Sequence, residues 1–235
     1  SMVDTPTNNY ATLNPLATPT ASNSYKNGNL SHRGIATHNW SVASIHTTTG
    51  KWYWEGLFDT FAIAAGFGLW RVGQSYTGGY LGENMNGVCY FANDGKWYQN
   101  AVWTLLATFG ATDVISLAFD ADAGNLWYGK NGTWFGSGAP ESGTNPTVTG
   151  LTSRDWAPAV DDAGSSWTVM AFGQAPLHSS ATYDSASGGY FRYTPPTGFK
   201  ALCTANLPSV AIPNPSKQMA VNTRNGTGTD ATKTG

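Results

Sequence analysis

Charge is scarce in this chain, and its scarcity bears on several functions at once. Only 11% of the 235 residues are Asp, Glu, Lys or Arg, twelve basic against fourteen acidic, for a formal net charge of −2. No run of Lys or Arg occurs, so a phosphate backbone would meet no electrostatic footprint and no nucleic-acid partner is expected. Long apolar runs are missing too. The longest, FAIAAGFGLW at 61–70, is broken by glycines and falls well short of the roughly 20 residues that cross a bilayer, so no membrane insertion is expected. There is no C-x-x-C, no G-x-S-x-G, and no glycine-rich phosphate loop ending in Lys-Ser or Lys-Thr, which removes the parts for dithiol redox, serine hydrolysis and nucleotide chemistry. Cysteine occurs twice, at Cys89 and Cys203. The two could bridge if their strands lay side by side, but a chain with this much apolar material needs no staple, and two buried free thiols are the simpler reading.

What the chain has instead is glycine and aromatic rings: 28 Gly with ten Trp, eleven Tyr and ten Phe. Aromatic and β-branched residues fit a pleated, half-buried surface, and glycine supplies the tight turns between strands. Short alternating runs are bounded by Gly, Asn and Asp clusters. In DVISLAFD (113–120), Ile115, Leu117 and Phe119 fall on one face, and the other is small and weakly polar. WTVMAFG (167–173) sets Met170 and Phe172 against Val169 and Ala171, and GKWYWEGLFD (50–59) puts Trp52 and Trp54 on a common face. No window shows a capped 3.6-residue stripe, so one or two short helical turns at most are expected. GKWY at 50–53 and again at 95–98, with GTWF at 132–135, are unequally spaced, and mark turns entering aromatic strands rather than a repeat architecture.

FDADAGNLWYGKNG (119–132) tests whether chemistry is present. An EF-hand loop counted from Asp120 would need oxygen ligands at alternating positions and a glutamate twelfth, but Gly124 is fifth and Asn131 twelfth. A hairpin turning on Ala121 to Asn125, with the Gly-Asn pair at positive φ and the aspartates bonding their own backbone, accounts for the stretch. No metal and no cofactor are expected. His32, His38 and His46 are spaced by six and eight residues, neither a strand nor a helix period for a metal site, and read as loop or edge residues. A retaining glycosidase on a β-sandwich would need two carboxylates about 5 Å apart. Glutamate occurs three times, at Glu55, Glu83 and Glu141; Glu55 and Asp59 share a strand face but lie roughly 13 Å apart at strand rise. No catalytic residue is assigned, and hydrolysis is the minor alternative.

The stretch TDVISLAFDADAGNLWYGKNGTWFG resembles the D-V-I, D, Gly-turn and N-G pattern of the SPRY (B30.2-like) domain family. In the same order, GKWYWE (50–55) resembles its Y-W-E strand, AGFGLW (65–70) the strand that follows, and GGYLGENMNGVCYFANDGKWY (78–98) the middle block. WAPAVDDAGSSWTVMAFG (156–173) and PPTGFKAL (195–202) resemble its P-A-V, F-G and closing G-F-K-x-L pieces. Gly56 departs from the pattern where a bulky aliphatic often stands, and no PRY segment is recognisable in 1–49. The resemblance implies an all-β, antiparallel two-sheet sandwich of concanavalin-like jelly-roll topology, used as a docking surface rather than as a catalyst. The flanking NYATLNPL and FKALCTANLP resemble SPRY-containing virion proteins of tailed bacteriophages. They imply a tail-fibre or similar appendage module in the virion that binds a host-surface glycan or protein, with an assembly module contacting other virion proteins as the alternative.

Three divisions of the chain are expected: a partly docked N-terminal extension over 1–24, the SPRY-like domain over 25–207, and a Pro- then Gly/Thr-rich linker over 208–235 towards a further domain. If the function is binding, aromatics in loops are the candidates. LWRVGQSYTGGY (69–80) offers Trp70, Arg71, Tyr76 and Tyr80, and NDGKWYQN (93–100) offers Trp97 and Tyr98. Flat rings stack on sugars or on apolar parts of a peptide, while Arg or Asn beside them fix orientation.

Overall fold

The computed structural model describes residues 8–17, 23–35, 38–61, 64–75, 79–162, 164, 166–174 and 180–208. The alternating runs form strands. In chain order these are β1 (Asn23–Lys26), β2 (Ser31–Gly34), β3 (Asn39–Val42), β4 (Lys51–Thr60), β5 (Ala65–Arg71), β6 (Gly87–Phe91), β7 (Lys96–Gln99), β8 (Val102–Leu105), β9 (Ile115–Asp120), β10 (Asn125–Lys130), β11 (Thr133–Trp134), β12 (Trp156–Asp162), β13 (Trp167–Ala171), β14 (Thr182–Asp184), β15 (Gly189–Phe191) and β16 (Lys200–Ala201). One sheet runs β1-β2-β13-β4-β9-β10-β11, with β16 attached to β4 as its eighth strand; a six-stranded sheet runs β3-β12-β5-β6-β7-β8; and β14 pairs with β15. All pairings between strands are antiparallel except β16 on β4, where Lys200 and Ala201 lie beside Trp52 and Tyr53. This is the antiparallel sandwich expected. Helical structure among the described residues is confined to three single turns, Phe135–Ser137, Pro140–Ser142 and Thr204–Asn206. That is one more than expected, because each is a chain reversal and none carries an apolar stripe.

The strand period decides the layers. Trp52, Trp54 and Phe58 of β4, Phe67 and Leu69 of β5, and Ile115, Leu117 and Phe119 of β9 point between the sheets, where Met170 and Phe172 join them in the main core. Gly56 faces the same space. A Cβ there would sit 2.5 Å from the Phe67 ring, so the bulk that an aliphatic side chain would have supplied comes from Phe67 on the facing sheet.

The back of β9 is small, as the sequence pattern has it, and a second apolar layer covers it: Ala118 lies under Tyr53, Trp127, Phe191 and Phe199, with Tyr10, Ala201 and Cys203 in the same layer. The chain returns after β15 and lays Phe191 to Cys203 across the outer face of the larger sheet. At the other terminus Tyr10, Ala11 and Leu13 are buried, and Ala11 N–H donates to the Leu202 carbonyl at 2.9 Å. Apart from Pro208, the linker expected over 208–235 lies outside the described residues. A third layer, with Trp40, Trp70, Leu81, Cys89 and Phe91, covers the outer face of the six-stranded sheet. Cys89 and Cys203 are both buried and neither forms a disulfide; they sit in these opposite outer layers, which rules out a bridge between them.

Candidate functional site

The acidic hairpin is resolved by its bonds. Asp120 ends β9 and Asn125 opens β10 directly opposite it. Asp120 Oδ1 accepts the Ala123 N–H at 2.9 Å, its Oδ2 lies 3.2 Å from Lys51 Nζ, and Asp122 Oδ1 accepts the Gly50 N–H at 3.1 Å. Of the Gly-Asn pair only Gly124 has positive φ, at 67°. Asp120 folds the turn as expected, and both carboxylates tie it to the start of β4; Asp122 bonds Gly50 there in place of the expected bond to its own turn. Among the described residues no group of three or more His, Cys, Asp or Glu side chains is placed to hold a metal ion, and no helix is long and apolar enough to cross a membrane.

Glu55 is likewise accounted for. It is buried on the outer side of β4, where Arg192 N and Tyr193 N each donate to its carboxylate at 2.8 Å and Tyr53 Oη donates at 2.9 Å. Burial pushes its pKa upward, and the three donors oppose that rise. This carboxylate clamps the segment after β15 onto the sheet. Asp59, four residues along, is exposed and pairs with Lys26 instead.

The histidines differ from one another, and the loop-or-edge reading fails for the first. His32 lies in β2, between β1 and β13, and is fully buried; burial lowers its pKa to about 3. Its Nε2 meets Asn23 Oδ1 at 3.0 Å. His46 is half-exposed, 3.8 Å from Asp155. His38, with φ of 56°, enters a cluster that resembles a ligand site.

That cluster lies on the outer face of the six-stranded sheet. A cavity of about 250 Å³ is lined by His38, Ala64, Tyr80, Phe91, Asn93, Asp94 and Tyr98. Cross-strand register assembles it: β6 pairs with β7 so that Cys89 opposes Tyr98, which puts Tyr98 on the same face as Phe91. Tyr80 reaches over from the segment before β6. Its loop can lie this close because residue 82 is glycine: φ is +99°, and a Cβ would sit 2.5 Å from the Tyr98 carbonyl oxygen. The three rings stand nearly perpendicular to one another, Tyr80–Tyr98 at 5.3 Å and 75°, Tyr80–Phe91 at 6.0 Å and 75°, and Phe91–Tyr98 at 5.9 Å and 77°. His38 adds a fourth ring, 5.5 Å from Tyr80 and 6.0 Å from Phe91.

Carboxylates edge this aromatic floor. Tyr98 Oη donates to Asp94 Oδ2 at 2.5 Å, and Asp94 Oδ1 accepts the Lys96 N–H at 3.1 Å. Burial, then Asp94, raises the Tyr98 pKa, so the phenol stays protonated. Behind His38, Asp161 of β12 is wholly buried; its Oδ2 accepts the Leu81 N–H at 2.8 Å and lies 3.4 Å from His38 Nδ1, while its Oδ1 has no partner among the described residues. The Asp161 bond and the charges of Asp161 and Glu83 raise the His38 pKa against the opposing effect of burial.

Of the six candidate residues, the fold brings together two, Tyr80 and Tyr98. Trp70 is buried against Trp40, with ring centroids 4.4 Å apart, and closes the same outer layer from beneath. Arg71, half-buried at the end of β5, has Nη1 3.5 Å from Asn86 Oδ1. Trp97 follows its neighbour's parity in reverse: it turns inward onto the main core and lines a separate cavity of about 390 Å³ with Phe135, Asn145 and Thr147. Tyr76 lies outside the described residues. Sequence reasoning missed His38, Phe91, Asp94 and Asp161. Phe91 could have been found from its parity with Cys89, but nothing local announces that His38 and Asp161 meet it.

The fold defines a class, an antiparallel β-sandwich of the SPRY type, and this chain has an aromatic pocket on one outer face. Solved structures to which this chain is similar include SPRY domains. The SPRY domain of human HERC1 matches 67% of this chain and 96% of its own length at 18% identity and a TM-score of 0.54. The PSpry domain of TRIM65 matches 69% of this chain and 89% of its own at 11% identity and a TM-score of 0.52. These likenesses establish the fold. No family model matches the chain, and no curated protein matches it.

Proposed function

We propose that this chain is a non-catalytic recognition module that holds a protein ligand on the outer face of its six-stranded sheet, around Tyr80 and Tyr98. The observation that carries the reading is the cavity itself: separate parts of the chain converge on it, three rings and a histidine floor it, and its rim offers hydrogen-bonding groups. Such a mixture of apolar floor and few polar groups suits capture. The SPRY-type fold supports the same reading, as does the use of Glu55, Asp120 and Asp122 in tying the backbone together.

The finer setting, a bacteriophage appendage that meets a host-surface glycan or protein, rests on the flanking segments of the sequence and belongs to the proposal alone. An assembly role against other virion proteins is favoured by a different observation: β8, at the edge of the six-stranded sheet, exposes Val102, Trp103 and Leu105, the kind of apolar edge that pairs with another chain. The test is a peptide array and a whole-cell adsorption assay with the chain and its Tyr80→Ala/Tyr98→Ala double variant. Binding that the double variant loses supports the pocket reading. Equal binding by both chains, or none by either, overturns it.

A further inference from the structure

We infer that the Tyr80–Tyr98 pocket takes a basic side chain, arginine or lysine, of a protein partner. This rests on the recognition reading above and specifies its ligand. Two independent features converge. The floor is aromatic, and ring faces carry negative quadrupole density that attracts a cation lying over them. The surrounding charge has one prevailing sign: Asp94 stands at the rim, Asp161 lies sealed behind His38 with Oδ1 unpartnered among the described residues, and Glu83 lies near enough to act on both His38 and Tyr80. A wholly buried carboxylate whose second oxygen has no partner leaves field that a visiting cation would meet, and in surroundings less polar than water that field reaches further. The raised His38 basicity registers the same field from inside the protein.

The molecule already contains a small version of the arrangement. Lys96 Nζ sits 3.9 Å from the Trp103 ring centre and 3.9 Å from Asp94 Oδ2, an ammonium shared between an indole face and the same carboxylate. Lys96 is therefore a competitor for Asp94, and its removal should help a visiting cation while loss of Asp94 hurts it. Opposite signs from two neighbouring substitutions are not what a merely structural role would produce.

The test uses the full chain and two probes of equal shape, N-acetyl-arginine methylamide and its neutral counterpart N-acetyl-citrulline methylamide, followed by NMR of the aromatic rings. The arginine probe should shift the Tyr80, Tyr98 and His38 signals saturably, with a dissociation constant on the order of 1–10 mM for so small a ligand. The citrulline probe should not. Asp94→Asn should weaken the arginine probe about fivefold, and Lys96→Met should tighten it about threefold. Equal response to both probes, shifts confined to other residues, no shift at all, or the same sign from both substitutions would overturn the inference. The recognition reading fails separately. If array peptides bind and the double tyrosine variant loses them, but exchange of their Arg and Lys for citrulline and acetyl-lysine changes nothing, capture stands and the cationic ligand falls.

Discussion

The two outer faces of this sandwich each carry a buried carboxylate, and the protein treats them in opposite ways. On the eight-stranded sheet Glu55 is held by two backbone N–H groups and a tyrosine hydroxyl, beneath an apolar layer from the returning C-terminal segment. On the six-stranded sheet Asp161 has one oxygen bonded to Leu81 N and the other unpartnered among the described residues, and its cover opens into the aromatic pocket. A carboxylate with every donor supplied fastens structure. One left partly unsatisfied beside a cavity stores interaction free energy that a ligand can draw on. The difference lies in what covers the strand, since both residues sit in equally regular β-structure.

The sharpest way to break the comparison is to remove each carboxylate. Glu55→Ala leaves the Arg192 and Tyr193 N–H groups without their acceptor, while Tyr53 Oη keeps Ser116 Oγ at 2.9 Å; at about 1–3 kcal/mol per donor, urea unfolding should show a loss of about 4 kcal/mol. Asp161→Asn keeps an oxygen for Leu81 N and should cost no more than about 1 kcal/mol; comparable losses from the two substitutions would end the distinction drawn above. Next in size is Gly82→Ala, which forces a side chain into positive φ and against the Tyr98 carbonyl. A loss of about 2 kcal/mol is expected, with displaced Tyr80 ring signals as the specific readout.

The histidines sharpen the contrast by pH. His32 has a folded pKa of about 3, below its ordinary 6.5, so below pH 6.5 the unfolded chain binds a proton that the folded chain refuses. Its effect is to lower stability from pH 6.5 down to about 3, with a slope approaching about 1.4 kcal/mol per pH unit, and to do nothing above 6.5. His38 has the opposite sign: its raised pKa stabilises the fold below 6.5, and that contribution is lost as pH rises through the folded value. In an imidazole NMR titration His38 should therefore protonate before His32 on acidification; the reverse order of these two would refute both assignments. The smallest effect is expected at the open edge. Trp103→Thr should change stability by less than about 0.5 kcal/mol, because the ring is exposed, while any self-association seen in sedimentation should fall.

Much of the fold was legible because strand structure is a matter of parity. Trp52 with Trp54, Ile115 with Leu117 and Phe119, and Met170 with Phe172 each share a face in the sequence pattern and in the core. The hairpin at Asp120 was legible for a similar reason, since Asp120 bonds Ala123 three positions on; the Asp122 bond to Gly50 spans 72 residues and was not. Parity also has a limit. It showed one face of β9 as small and weakly polar but not what covers it, because the cover comes from Phe191 and Phe199, far along the chain. The candidate site divided along the same line: Tyr80 and Tyr98 meet, whereas Trp97, adjacent to Tyr98, faces the opposite side of its strand.

Local order in the sequence therefore determined the all-β character, the position of the central hairpin and the inward set of side chains, because each depends on neighbours within a few residues. Only the tertiary structure decided which outer face would be sealed and which would open. That outcome depends on pairings of distant segments, β12 beside β5 and the C-terminal return across β4, which bring His38, Tyr80, Asp94 and Asp161 together although no local pattern links them.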